Sequence, residues 1–309
     1  MSHMNKNSKI YVAGHNGMVG SSIVRVLKKN GYSNLLEIER SELDLINQKE
    51  VKDFLKNEKP DLVIVAAAKV GGILANNKFK AEFLHDNLQI QNNLIDGSHL
   101  ADVNDLVFLG SSCIYPKFCQ QPIREEFLLT GELEPTNEPY AIAKIAGLKM
   151  CQFYKEQYSR NYFSVMPCNL YGSNDNYDLE NSHVLPALLR KIHEAKLNDS
   201  EKVEIWGTGN PRREFLHVDD LAKAILFLIE NKFEGNLINI GSGKDITIKE
   251  LANLIIDIIG FSGFLNFDSS KPDGTPKKLL DVSKIKSLGW SPEICLEDGL
   301  KTTYLDEFK

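Results

Sequence analysis

Cysteine is scarce, with five in 309 residues at Cys113, Cys119, Cys151, Cys168 and Cys295, and no two of them in CxxC spacing. That excludes a disulfide scaffold and a thiol metal knuckle, and it suits a reducing cytoplasm. Positive charge is also in short supply, since 36 Lys and Arg face 42 Asp and Glu for a net charge of −6. No general field draws such a chain to nucleic acid or an anionic bilayer, so any anionic ligand must be held by a local site. No run reaches the about 18 apolar residues of a membrane helix, and the amino terminus has no apolar secretory core. His85, His99, His193 and His217 lack paired metal-ligand spacing, and no fixed-period repeat or low-complexity tract is present. The opening Met1-Ser2-His3-Met4 reads as an expression remnant, and residues before Lys9 are left out of the fold reasoning.

What is present is 42% hydrophobic residues, enough for a sizeable core in one large or two moderate domains. Lys9 to Ala13 predicts a strand, Gly14 a turn, and Met18 to Lys29 a helix stopped by Asn30-Gly31. Further strands are predicted at Leu35 to Glu39, Asp61 to Ala68, Leu106 to Gly110 and Phe163 to Pro167. Helices are predicted at Gln48 to Asn57, Phe79 to Leu100 and Tyr140 to Tyr158. The nearly unbroken apolar run from Asp61 suits a sheet buried on both faces. Alternating strands and helices imply parallel pairing with right-handed crossovers, hence an α/β fold with a doubly wound parallel sheet over residues 9–171.

Past Tyr171 the rhythm loosens. Gly172 to Ser182 is rich in Asn and Asp, and Trp206 to Arg213 and Lys271 to Pro276 are Gly/Pro turn regions. Residues 172–213 and 244–309 are expected to form a smaller α/β substrate lobe. Residues 214–243, with apolar Leu237 to Ile240, are expected to return to the main sheet.

Gly14-His15-Asn16-Gly17-Met18-Val19-Gly20 is a GxxGxxG turn at the first strand–helix junction, where helix-start amides bind a pyrophosphate. Gly14 permits the tight turn, Gly17 lets backbone approach phosphate, and Gly20 lets helix pack on strand. In Glu37-Ile38-Glu39-Arg40-Ser41 the second strand should end near Arg40, whose guanidinium fits the 2′-phosphate of NADP(H). The alternative is a surface Arg40 with Glu39 on the ribose of NAD. Asp44 and Leu45 lie close enough to line the adenine side.

Ser111-Ser112-Cys113 follows a strand, at the carboxyl edge where ligands bind in open α/β sheets. Tyr140 and Lys144 stand at i and i+4, on one helix face. A phenol near pKa 10 works slowly at neutral pH unless a cation favours its phenolate, and Lys144 supplies one, while a serine hydroxyl polarises a carbonyl. Alone, a YxxxK pair is also the mark of an ordinary helix surface. Joined to the glycine turn and the serine pair, it is the triad of hydride-transfer enzymes.

These residues, with Ala66 to Gly72 (AAAKVGG), Leu109 to Pro116 (LGSSCIYP), Glu134 to Gly147 (EPTNEPYAIAKIAG), Asn169 to Gly172 (NLYG), Arg213 to Asp220 (REFLHVDD) and Lys271 to Thr275 (KPDGT), resemble the extended short-chain dehydrogenase/reductases. These are Rossmann-fold enzymes that act largely on nucleotide sugars. The likeness runs from Lys9 over nearly the whole chain. It implies the branch that epimerises GDP-4-keto-6-deoxy-D-mannose at C3 and C5 and reduces C4 with NADPH, giving GDP-L-fucose. Ser111, Tyr140 and Lys144 then form the reductase triad, and Cys113 and His183 the epimerisation acid/base pair.

By the same resemblance Leu109, Gly110, Ser112, Pro167, Asn169, Leu170 and His183 touch the cofactor. Lys191, Trp206, Arg213 and Asp273 hold the GDP-sugar, and the enzyme is a homodimer built on the helices of Tyr140 and of Phe79 to Leu100. Two positions depart from the pattern: Asn16 and Lys191 stand where relatives carry arginine. Two other readings stay open, a C4 reductase of another GDP-4-keto sugar (a dideoxy sugar or heptose) and a catalytically silent nucleotide-binding protein.

Overall fold

Two runs of four residues have every side chain buried, Ile10–Ala13 (β1) and Leu62–Val65 (β3), and they lie side by side in parallel register. They anchor the computed structural model, which describes residues 4–179, 182–271 and 273–309. Met1 to His3, Glu180 and Asn181 of the Asn/Asp-rich loop, and Pro272 of the KPDGT block lie outside the described residues.

The main sheet is wholly parallel, in the order β2-β1-β3-β4-β5-β9, with β2 at Leu35–Leu36, β4 at Asp105–Leu109, β5 at Asn161–Pro167 and β9 at Leu237–Ile240. β2 and β3 flank β1 on opposite sides, so the winding reverses there and opens a crevice at the carboxyl end of β1. The apolar run Leu237 to Ile240 does return to this sheet, against β5.

The helices fall where apolar periodicity meets a stop. Helix α1 (Met18–Lys29) buries Ile23, Val24, Val26 and Leu27 and packs on α7 (Val218–Glu230). Helix α2 (Gln48–Glu58) packs on α4 (Lys80–Leu100), and α4 on α5 (Glu138–Tyr158). The helix expected from Phe79 to Leu100 is α4, and a short helix α3 (Ile73–Lys78) that the sequence did not suggest precedes it, set apart by the non-helical φ of −115° and ψ of 46° at Phe79. The predicted second strand is shortened to Leu35–Leu36, because its charged end leaves β1. Glu37 pairs with Lys28 at 2.7 Å, and Glu39 turns to the loop before α1.

The second lobe is built on β8 (Arg212–His217), which pairs with β6 (Asn169–Tyr171), β10 (Asp245–Thr247) and β12 (Lys277–Lys278). Beside it β7 (Lys202–Trp206) pairs with β11 (Phe264–Asp268), and α6 (Val184–Leu197), α8 (Ile248–Ile259) and α10 (Leu296–Phe308) cover a second apolar core. Thr247 and Glu250 close a capping box on α8, which ends at Gly260 in the left-handed conformation. Helix α9 (Ser283–Ser287) packs against β9 and ties the lobe back to the main sheet. No helix of the described residues is long and apolar enough to cross a membrane.

Candidate active site

The turn from β1 into α1 is closed by its own glycines. Gly14 has φ +86°, and a Cβ there would stand 2.7 Å from the Ala67 backbone, while one on Gly20 would overlap the Gly14 carbonyl. Gly17 caps α1 without a side-chain bond, so among the described residues no side chain takes up the first-turn amides that Met18 and Val19 open. This cradle sits at the crevice where the sheet winding reverses. It fits the pyrophosphate of a dinucleotide.

At the far rim of the turn two side chains of the glycine loop meet Glu39, a contact the sequence did not suggest. Asn16 Nδ2 donates to Glu39 Oε2 at 2.8 Å, and His15 Nε2 lies 3.4 Å from Glu39 Oε1. Bonds from Asn16 and then His15 hold the Glu39 carboxyl below its usual range. Arg40 and Asp44 are exposed and Leu45 half-buried, with Asp44 Oδ1 accepting from the Ile46 N–H at 3.1 Å.

At the end of β4, Gly110 donates its N–H to Val165 at 3.0 Å, leaving no room for a side chain against Met166. Ser111 then caps a single 3-10 turn over Ser112–Ile114, its Oγ accepting from the Cys113 N–H at 3.3 Å. Opposite, Pro139 in the first turn of α5 starts the helix just before Tyr140. Lys144, one turn on, is 3% exposed and donates from Nζ to the Leu109 carbonyl at 2.8 Å. Its ammonium lies 5.7 Å from the centre of the Tyr140 ring. Burial lowers the Lys144 pKa to about 8, against a smaller opposing influence of Cys113.

The expected acidification of Tyr140 by Lys144 is not seen. Burial pushes the phenol up from its ordinary value, and the ammonium is engaged with the Leu109 carbonyl instead. The two side chains share a wall without a direct bond.

Cys113 is 8% exposed. Burial raises its thiol, and Lys278, the Ser111 hydroxyl and Lys144 oppose that rise. His183 stands at the cap position before α6 and makes no side-chain bond to the helix start. Its imidazole is ringed by protein yet reached by solvent, and it is pushed down first by desolvation and then by Lys278. Lys278 is the group sequence reasoning missed. Its ammonium is lowered by burial, faces Cys113 and Arg213, and has no hydrogen bond or ion pair among the described residues. The β12 register sets Lys278 beside Arg213, and Leu279 and Asp281 clamp the segment to the loop after Cys113. Ile123 N–H donates to Leu279 at 2.7 Å, and Asp281 N–H to Ile123 at 2.8 Å. The only available signal was a basic pair before an apolar run, which is the mark of many edge strands.

Of the residues expected to hold substrate, Lys191 and Trp206 do meet, with the ammonium 5.7 Å from the indole centre. Lys271 stands over the same ring at 5.6 Å, and Trp206 is 53% exposed. Arg213 spends one nitrogen on the carbonyls of Thr275 at 2.6 Å and Arg212 at 2.8 Å. Asp273 lies near it and accepts from the Thr208 N–H at 2.9 Å and hydroxyl at 2.7 Å, so its carboxylate fastens one loop to another. Among the cofactor candidates, Asn169 donates to the Glu214 carbonyl at 2.8 Å, Leu170 follows it in β6, and Pro167 ends β5 at the same sheet edge. No cluster of three potential metal ligands exists among the described residues.

A doubly wound sheet whose reversal point carries a glycine cradle, with a phenol and an ammonium at the next strand edge, is the framework of a nicotinamide-dependent oxidoreductase. The model of the NAD dependent epimerase/dehydratase family matches residues 10–241, and the chain belongs to that family and to the extended short-chain dehydrogenase/reductases. GDP-L-fucose synthase 1 of Arabidopsis thaliana is 58% identical over 299 residues, covering 97% of this chain and 93% of the relative. The GDP-L-fucose synthase of Escherichia coli (strain K12) is 53% identical over 305 residues, covering 96% and 95%. A solved GDP-mannoheptose C4 reductase from Campylobacter jejuni with NADP bound is 44% identical, with a TM-score of 0.90 over 98% of both chains.

Proposed function

We propose that the protein epimerises GDP-4-keto-6-deoxy-D-mannose at C3 and C5 and reduces its C4 ketone with NADPH, giving GDP-L-fucose. The observation that carries this reading is the shared wall of the cleft. The Cys113 N–H donates to Ser111 Oγ at 3.3 Å, and its thiol lies within electrostatic reach of the same Lys144 ammonium that neighbours Tyr140.

A ketone at C4 acidifies the hydrogens on both C3 and C5, so one base removes either and leaves an enolate with its charge on O4. Ser111 Oγ and Tyr140 Oη are hydroxyl donors for that oxygen. Cys113 and His183 form the acid/base pair that inversion needs, one taking the proton from one face and the other returning a proton to the opposite face. The two sit on different elements, Cys113 in the 3-10 turn after β4 and His183 at the start of α6. Lys278, near both and without an ion-pair partner among the described residues, favours the thiolate of Cys113 and the neutral imidazole of His183.

NADPH, when bound, supplies the hydride for C4. Gly14, Gly17 and Gly20, with the Met18 and Val19 amides, hold its pyrophosphate, and Arg40 takes the 2′-phosphate. Tyr140 Oη gives its proton to O4, and the Lys144 ammonium steadies the charge left behind. Arg213 and Lys191 face the diphosphate, and Trp206 offers its flat face to the ligand rings. In this reading residues 9–171 with 214–243 hold the cofactor, and 172–213 with 244–309 hold the GDP-sugar.

The protein works as a cytoplasmic homodimer through α4 and α5, which present Leu100, Ile142, Phe153 and Tyr158 to solvent, each more than 40% exposed. A second reading, C4 reduction of another GDP-4-keto sugar without epimerisation, draws on the burial that keeps Cys113 in its thiol form. Incubation with the keto sugar in D₂O without NADPH separates the two. Deuterium at C3 and C5 supports the epimerase, and its absence leaves a plain reductase.

A further inference from the structure

The edge of the glycine cradle is not built for a phosphate alone. The adenosine ribose of a dinucleotide whose pyrophosphate lies on the α1 N-terminus reaches the end of β2. There the Glu39 carboxylate is fixed by Asn16 at 2.8 Å and approached by His15 at 3.4 Å, with its side chain still 55% exposed. An ionised carboxylate has about four acceptor sites, so these two contacts leave room for hydroxyl donors.

The surrounding charges lean the same way. Glu42 accepts from the Glu39 N–H at 3.2 Å, and Glu37 is matched by Lys28 at 2.7 Å. Arg40 has no hydrogen bond or ion pair among the described residues, and Asn16 is neutral. A 2′-phosphate, at about −1.5 to −2 charge near pH 7, would therefore meet one free guanidinium beside two carboxylates, Glu39 and Glu42. A ribose with both hydroxyls free meets a positioned acceptor and no repulsion.

We propose that Glu39, held in place by Asn16 and His15, is a cofactor-specificity residue that lets this protein bind NAD(H) alongside NADP(H). Arg40 and Glu39 work in opposition, the guanidinium favouring the phosphorylated ribose and the carboxylate the free one. The inference rests on the dinucleotide reading of the Gly14–Gly20 turn.

Calorimetric titration with NADP⁺ and NAD⁺, neither of which needs sugar or turnover, tests it in the wild type, Glu39→Gln and Arg40→Ala. The two wild-type dissociation constants are expected within about tenfold of each other. Glu39→Gln should shift their ratio toward NADP⁺ by about tenfold, tightening the one and weakening the other, and Arg40→Ala should weaken NADP⁺ alone. Wild-type binding of NADP⁺ with an unchanged ratio in Glu39→Gln overturns the role of Glu39 and leaves the dinucleotide site standing. Failure of the wild type to bind either dinucleotide overturns both.

Discussion

Lys144 donates its ammonium to the main-chain carbonyl of Leu109 at 2.8 Å, across the space between α5 and the end of β4. That bond fixes a buried cation at the sheet edge, 5.7 Å from the Tyr140 ring, with a pKa lowered by burial to about 8. The charged form is present below that value and lost as pH rises through it. The rate of C4 reduction should therefore fall on the alkaline side with a midpoint near pH 8. Lys144→Met should abolish that limb and lower kcat by about 10² or more. A pH profile of NADPH oxidation in the two proteins checks this, and an unchanged alkaline limb in Lys144→Met would assign it elsewhere.

The Cys113 thiol is raised by burial and opposed most strongly by Lys278. Replacing Lys278 with Met leaves burial unopposed from that side, so the thiolate fraction at neutral pH should drop. Alkylation of Cys113 by iodoacetamide should slow by about tenfold, and deuterium exchange at C3 and C5 should slow with it. Cys113→Ser should lose the exchange while still oxidising NADPH with a keto sugar that needs no epimerisation. Loss of both activities together in Cys113→Ser would argue that the thiol serves binding.

Glu214 lies at the seam of the two lobes, fully buried in β8. It accepts from the Gly243 N–H at 2.6 Å and the Leu280 N–H at 2.8 Å, and burial raises its carboxyl from 4.5 to about 7. Between those values the folded chain holds a proton that the unfolded chain has released. Its contribution to stability is thus full below about pH 4.5 and falls as pH rises toward 7, by about 3 kcal/mol in the limit. Urea unfolding at pH 5 and pH 8 should show this loss in the wild type. Glu214→Gln should lack that part of the pH dependence.

The main sheet was legible because its strands announce themselves twice, by unbroken apolar runs and by the glycine or charge that stops them. Met18 to Lys29 falls on α1 without a residue's error. The end of β2 was not legible, because Glu37 and Glu39 find side-chain partners on Lys28, His15 and Asn16, and nothing local encodes those meetings. The same limit hid Lys278, whose importance comes from β12 lying against β8 and from Leu279 meeting Ile123, far apart in the chain. Ser111, Tyr140 and Lys144 were readable as a pattern. That Lys144 would bind the Leu109 carbonyl while the phenol stayed high in pKa follows from depth in the fold.

Gly20 tests the cradle itself. A methyl group there would overlap the carbonyl of Gly14, where the neighbour is main chain and cannot rotate away, so α1 must shift along its axis or the Gly14 turn must open. Either response moves the first-turn amides away from the pyrophosphate, and close packing makes the shift costly, about 1–3 kcal/mol. Gly20→Ala should lower the thermal midpoint and weaken both NADP⁺ and NAD⁺ by a similar factor, since both share the pyrophosphate. Gly31→Ala is the control, because Gly31 has open space around its Cβ position and its φ of +86° strains the backbone without touching the cradle. It should lose stability and keep dinucleotide affinity. Calorimetric binding with parallel thermal melts distinguishes the two variants, and equal dinucleotide affinity in Gly20→Ala and wild type would place the pyrophosphate somewhere other than on α1.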